Sequence, residues 1–189
     1  SQTYMVNVTP GAQSQALRVT LAWTDPPGNP AAAIKLVNNL DVVVTNLADN
    51  SVYYGNNFDA SSSPPYTLPS ATNAPPVLDY VNNVRNIFIP PLLGTNYSVT
   101  VIGRSVNVNA VTLEQTNVVQ DYALVISTGD GNATSGITVT PAAPLAASVT
   151  NVTYIVATNG IYFNQTAGAN APLLSTNGVT LGGTSAIYG

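Results

Sequence analysis

Residues 21–44 read LAWTDPPGNPAAAIKLVNNLDVVV and gather Asp25, Asn38, Asn39 and Asp41 at the edges of one loop. The whole chain holds only eight acidic side chains, so two carboxylates beside two amides is a concentration. Asn39 and Asp41 stand two apart in a strand-like run, which points both side chains to one face. Asp25 lies just past the end of the preceding run. If the two strands pack side by side or face each other, Asp25, Asn39 and Asp41 converge. Carboxylate and amide oxygens at a loop edge form the ligand set of a hard cation such as calcium, which takes about six to eight oxygens. The same residue types at strand ends also close turns by bonding their own backbone. Both readings stay open on these residues alone.

Most other chemistry is absent. The chain has no His and no Cys. Without them there is no Ser-His-Asp triad, no imidazole acid or base, no thiolate nucleophile and no usual zinc or iron–sulfur ligand set. A glycosidase pair would have to come from Asp59, Asp79, Asp121, Asp130 and Glu114, and no spacing marks any two as partners. The chain is expected not to be an enzyme. Four basic side chains and a net charge of −4 cannot neutralise a phosphate backbone, so nucleic acid is not an expected partner. No run approaches the roughly 20 apolar residues of a membrane span. Charged residues make up 6% of the chain, against about 25% in an average soluble protein. Asn, Thr, Ser and Gly take their place.

The elements that must position the cluster are short strands. Tyr4, Val6 and Val8 alternate, as do Leu17, Val19, Leu21 and Trp23, then Leu40, Val42 and Val44. Tyr97, Val99 and Val101 share one face of a later run, and Tyr122, Leu124 and Ile126 share one face of the last before residue 129. Seven or eight strands separated by Gly, Pro and Asn loops predict an antiparallel β-sandwich, either jelly-roll or immunoglobulin-like.

The stretches LRVTLAWTDPPGNPAAAIKLVNNLDVVVT, VYYGNNF, LDYVNNVRNIFI, YSVTVIG and DYALVIS resemble, in that order, the C-terminal jelly-roll accessory domain of subtilisin-like serine proteases. The resemblance covers about residues 16–128. It implies a jelly-roll-type sandwich that follows a peptidase domain and binds calcium. Carried over position by position, it marks Asp25, Asn38, Asn39, Asp41, Gly55, Asn56, Asn82 and Asn83. Of these, Asp25, Asn39, Asp41, Asn56, Asn82 and Asn83 are the expected metal ligands. Asn39 stands where the family usually has Asp, which removes a formal charge and weakens calcium binding. The resemblance covers no catalytic domain.

Residues 1–129 are therefore expected to form the sandwich, and residues 130–189 a strand-rich extension. Asn159-Gly160 and Asn177-Gly178 in the extension favour type I′ hairpin turns. Such strands could pack as an extra layer on their own sandwich, begin a further domain, or be donated to a neighbouring copy, the last giving a head-to-tail filament. Low charge removes repulsion between copies and leaves edge strands unguarded. Asn-x-Ser/Thr occurs at Asn7, Asn96, Asn132, Asn151 and Asn164, with Asn96 expected to be poorly accessible beside its strand. Tyr53-Tyr54 reads as an ordinary strand pair or as a stacking surface for sugar. The expected function is a non-catalytic extracellular structural module that self-assembles by strand donation. The alternatives are a calcium-stabilised accessory domain of a secreted subtilisin-like protease and a carbohydrate-binding module.

Overall fold

The computed structural model describes residues 1–71, 74–128, 137–142, 152–157, 160–165 and 173–174. Twelve strands run through them: β1 (Gln2–Val8), β2 (Leu17–Ala22), β3 (Asn39–Asn46), β4 (Val52–Phe58), β5 (Thr67–Pro69), β6 (Val84–Ile89), β7 (Asn96–Ser105), β8 (Ala123–Thr128), β9 (Ile137–Pro141), β10 (Val152–Ala157), β11 (Gly160–Gln165) and β12 (Leu173–Leu174). Among the described residues the one helical element is a single 3₁₀ turn, Pro10–Ala12.

The architecture is all-β and antiparallel, as the alternation predicts. One sheet has the order β5-β4-β3-β7-β1-β9 and the other β6-β2-β8. Their inner faces meet in one core. Tyr4, Val6, Val8, Leu40, Val42, Val44, Tyr97, Val99 and Val101 come from the larger sheet. Leu17, Val19, Leu21, Ile87, Ile89, Leu124 and Ile126 come from the smaller one. In β1, β2, β6, β7 and β8 burial alternates because successive side chains in a strand point to opposite faces. Each fully buried Leu or Ile contributes about 2 kcal/mol of transfer free energy, and that apolar pairing fixes the register. Tyr4 is buried with its hydroxyl 3.0 Å from that of Tyr122, so the polar ends of both rings are satisfied inside the core. Burial drives the Tyr122 phenol pKa upward, helped by that contact.

Beyond residue 129 the chain returns to the larger sheet. β9 pairs with β1 in the register Val6↔Val139 and adds Ile137 to the core. β10 and β11 form an antiparallel hairpin, with β12 beside β11. β10 runs alongside β8, the outer strand of the smaller sheet.

β2 is antiparallel to both neighbours, so its C-terminal end meets the start of β6 and the start of β8. β3 begins opposite the end of β7, with Asn39 paired to Ser105. Three connections therefore meet at one end of the sandwich: residues 23–38, 74–83 and 106–122. The expected metal ligands lie in these loops, at the strand ends beside them, or on β4, and Asp130 lies outside the described residues.

Candidate functional site

Asp25 secures the first loop. Its Oδ2 accepts from the Val37 amide at 2.9 Å and its Oδ1 from the Asn38 amide at 2.7 Å. The carboxylate thus bridges a span of twelve residues and closes the loop on itself. Asn38, fully buried, passes the constraint to the third loop. Its Oδ1 accepts from the amides of Asn107 and Val108, and its Nδ2 donates to the Val108 carbonyl and to Gln120 Oε1. Its carbonyl takes the Trp23 indole N–H at 3.0 Å. Every polar atom of this buried residue has a partner, which is what burial of an amide requires. Asn83 ties the second loop to the same place by donating to the Trp23 carbonyl at 2.8 Å.

A guanidinium stands at the centre. Arg85, on β6, is completely buried. Its position in phase with Ile87 and Ile89 turns it into the core face. Nη2 donates to Asn39 Oδ1 at 2.9 Å and to the Asp79 carbonyl at 2.7 Å. Nη1 donates to the Asn82 carbonyl and lies 3.4 Å from Asp79 Oδ2. Nε lies 3.9 Å from Asp41 Oδ1, an ion-pair contact with no hydrogen bond to that nitrogen. The guanidinium carbon sits 5.1 Å from the centre of the Trp23 ring, within cation–π range. Gly55 on β4 makes room for the stem: a Cβ there would fall 2.8 Å from Arg85 Cβ.

The two carboxylates around Arg85 sit in different environments. Burial works to raise the Asp79 pKa. Hydrogen bonds from the Asn82 and Asn56 side chains and from the Val81 and Asn82 amides outweigh it, holding the group at about 2. Burial dominates at Asp41 and raises its pKa, against the lowering effects of Arg104, the Val42 amide and Arg85. Arg104 grips Asp41 Oδ2 at 3.0 Å from the solvent side. Arg85 is itself lowered by burial, and Asp79 and Asp41 partly restore it.

The structure therefore gathers Asn39, Asp41, Asn56 and Asn82 around Arg85, directly or through Asp79. Asn56 Nδ2 donates to Asp79 at 2.6 Å and to the Val84 carbonyl, while its Oδ1 accepts from the Asn86 amide. Asp25 and Asn83 serve the loop backbone instead. With Arg85 in place, this donor set does not fit a divalent ion. The oxygens face a guanidinium, and among the described residues no three carboxylates gather to hold a metal. A dication about 4 Å from Arg85 would meet roughly 8 kcal/mol of repulsion at an effective dielectric near 20.

Sequence reasoning passed over Arg85, Arg104, Asn107 and Gln120, and considered Asp79 only as a glycosidase acid. One signal was present. In VRNIFI the period-two pattern puts an arginine in the same phase as two isoleucines, which demands a buried partner set. Nothing comparable marks Asn107 or Gln120. Asn96, expected to be poorly accessible, is exposed, and it accepts a hydrogen bond from Asn7 on the paired strand β1 at 2.9 Å. Its strand contributes the outward face there. Asn132 and Asn151 lie outside the described residues, and Asn164 falls on β11. Tyr53 packs against the core while Tyr54 is half-buried on the other face, so the pair forms no shared platform.

No family model matches the chain. It is similar to parts of three proteins of Dictyostelium discoideum. It is 39% identical over 87 residues to Serine protease/ABC transporter B family protein tagB, a stretch that covers 46% of this chain and 4% of that protein. Against tagD of the same name the identity is 38% over 73 residues, 39% of this chain and 4% of the relative. Against tagA it is 33% over 118 residues, 60% of this chain and 6% of the relative. The similarity ties the chain to a protease-related group of proteins, of whose length it spans only a small fraction.

Proposed function

We propose that this chain is a non-catalytic extracellular structural module that assembles with copies of itself by strand addition. The observation that carries the reading is the way the extension is used. β9 adds to the free edge of β1, and β10 runs along the outer strand β8. One edge of the larger sheet thus accepts an extended segment from beyond residue 129, and a second such segment lies beside an outer strand of the smaller sheet. The same contacts made by a neighbouring copy would give a heterologous, head-to-tail chain, with ladder hydrogen bonds for affinity and alternate side chains for register. Occupied Asn7 and Asn96 sequons would place glycan on the exposed face of the β1–β7 pair. The test is assembly of the purified chain, followed by light scattering and electron microscopy as concentration rises. Deleting residues 137–189 should abolish it, and a full-length chain that stays monomeric at high concentration refutes the reading.

The second reading is an accessory domain within a larger protease-related polypeptide, with the jelly-roll wiring and secretion that the resemblance implies. The similarity to proteins named serine protease/ABC transporter favours it. The site chemistry suits both readings, since the acids and amides at the loop end hold backbone in place. Co-purification of this chain, made separately, with a peptidase from the same polypeptide would select the second reading over the first.

A further inference from the structure

We propose that Arg85 is the resident cation of an oxygen-lined centre, standing in the position a divalent metal would otherwise take. The oxygens around it are the kind that hard cations prefer: Asn39 Oδ1, the carboxylates of Asp41 and Asp79, and the carbonyls of Asp79 and Asn82. They come from β3 and from the loop that precedes β6, the Asn39, Asp41 and Asp79 side chains are largely sealed from solvent, and the oxygens converge on one point. The point is filled by a group carried on the chain. Gly55 shows that the room was made for it, since any larger residue there would strike the arginine stem. A tethered guanidinium needs no free ion and is not lost to dilution or chelation. Its fork geometry matches a shell of carbonyl and amide oxygens spread over several directions. The fold is accordingly independent of calcium, and the oxygens form a latent metal site that opens when the side chain is removed.

The full-length chain and Arg85→Ala are compared by thermal unfolding in calcium and in excess chelator, and by terbium luminescence. Trp23 is the chain's single tryptophan and its ring lies 5.1 Å from the Arg85 guanidinium carbon, so it is placed to sensitise terbium bound there. The native chain should melt at the same temperature in calcium and chelator and give no saturable terbium signal. Arg85→Ala should melt lower in chelator and recover roughly 8 °C in calcium at about a hundred times its dissociation constant. It should also bind terbium in competition with calcium. If Arg85→Ala does not fold in either condition, Arg85→Met, which keeps the stem against Gly55 and removes the charge, takes its place. A native chain that loses stability in chelator overturns the proposal. So does a folded Arg85 variant indifferent to both ions.

Discussion

Asp79→Asn changes one oxygen to a nitrogen and should cost stability only where the carboxylate is charged. Asp79 accepts from Asn56 Nδ2 at 2.6 Å, Asn82 Nδ2 at 2.7 Å and the Val81 amide at 2.7 Å, and it faces Arg85 Nη1 at 3.4 Å. An amide NH₂ at the Oδ2 position meets two other donors there. A fall from the ordinary 3.8 to about 2 corresponds to about 2.4 kcal/mol. The side chain is 12% exposed, so solvent screening trims the expectation to roughly 1–2 kcal/mol. Because the folded-state pKa is depressed, this contribution is fully present above the unfolded value. It drains away as pH falls through about 2. Urea unfolding of both chains near pH 7 and near pH 2 is the assay. The variant should be weaker by that amount at neutral pH, and the gap should close in acid. Exposed carboxylates such as Asp49 and Asp59 titrate alike in both chains and cancel. A gap of equal size at both pH values, or no gap near pH 7, refutes the reasoning.

Gly55→Ala places a methyl 2.8 Å from Arg85 Cβ and 3.0 Å from Cδ, and the guanidinium is pinned on the far side, so overpacking should cost about 1–3 kcal/mol. The urea midpoint measures it, and in an Arg85→Ala background the penalty should largely vanish. Asn38→Asp keeps the shape but loses the two donors to Val108 and Gln120, and it buries a charge in a fully enclosed site. The expected loss is roughly 3 kcal/mol or more near pH 7, and it should shrink in acid as the new carboxyl protonates.

The sheets were legible because their information is local. Tyr4, Val6 and Val8, or Leu17, Val19 and Leu21, state in sequence which side faces inward, and the register follows once one face is buried. The opening cluster was legible as a cluster but not as an arrangement. That Asp25 closes on the Val37 and Asn38 amides depends on the path of the loop of residues 23–38, which no periodicity encodes. Asn38 reaching Gln120 and Asp41 reaching Arg104 are contacts between distant segments, fixed by strand order. Arg85 was legible too: a cation on an apolar face calls for buried anions, and Asp41 and Asp79 stand in NNLDVVV and LDYVNNVRNIFI.

The choice of amides over charges at this end of the sandwich has a physical consequence. Three of the chain's four basic residues, Lys35, Arg85 and Arg104, sit at this end, and Asp25, Asp41 and Asp79 are among its acids. Yet the three loops are joined to one another chiefly by neutral groups: Asn38 to Val108 and Gln120, Asn83 to Trp23, Asn107 to Val37. Salt screens exposed charges over about 10 Å but leaves a short hydrogen bond between uncharged partners nearly untouched. Amides also do not titrate in the range that discharges a carboxylate. Acid should therefore weaken the shell around Arg85 through Asp79 while the loop-to-loop ties persist. The end of the sandwich would then hold its shape in surroundings of changing salt and acidity, which suits the structural role proposed above.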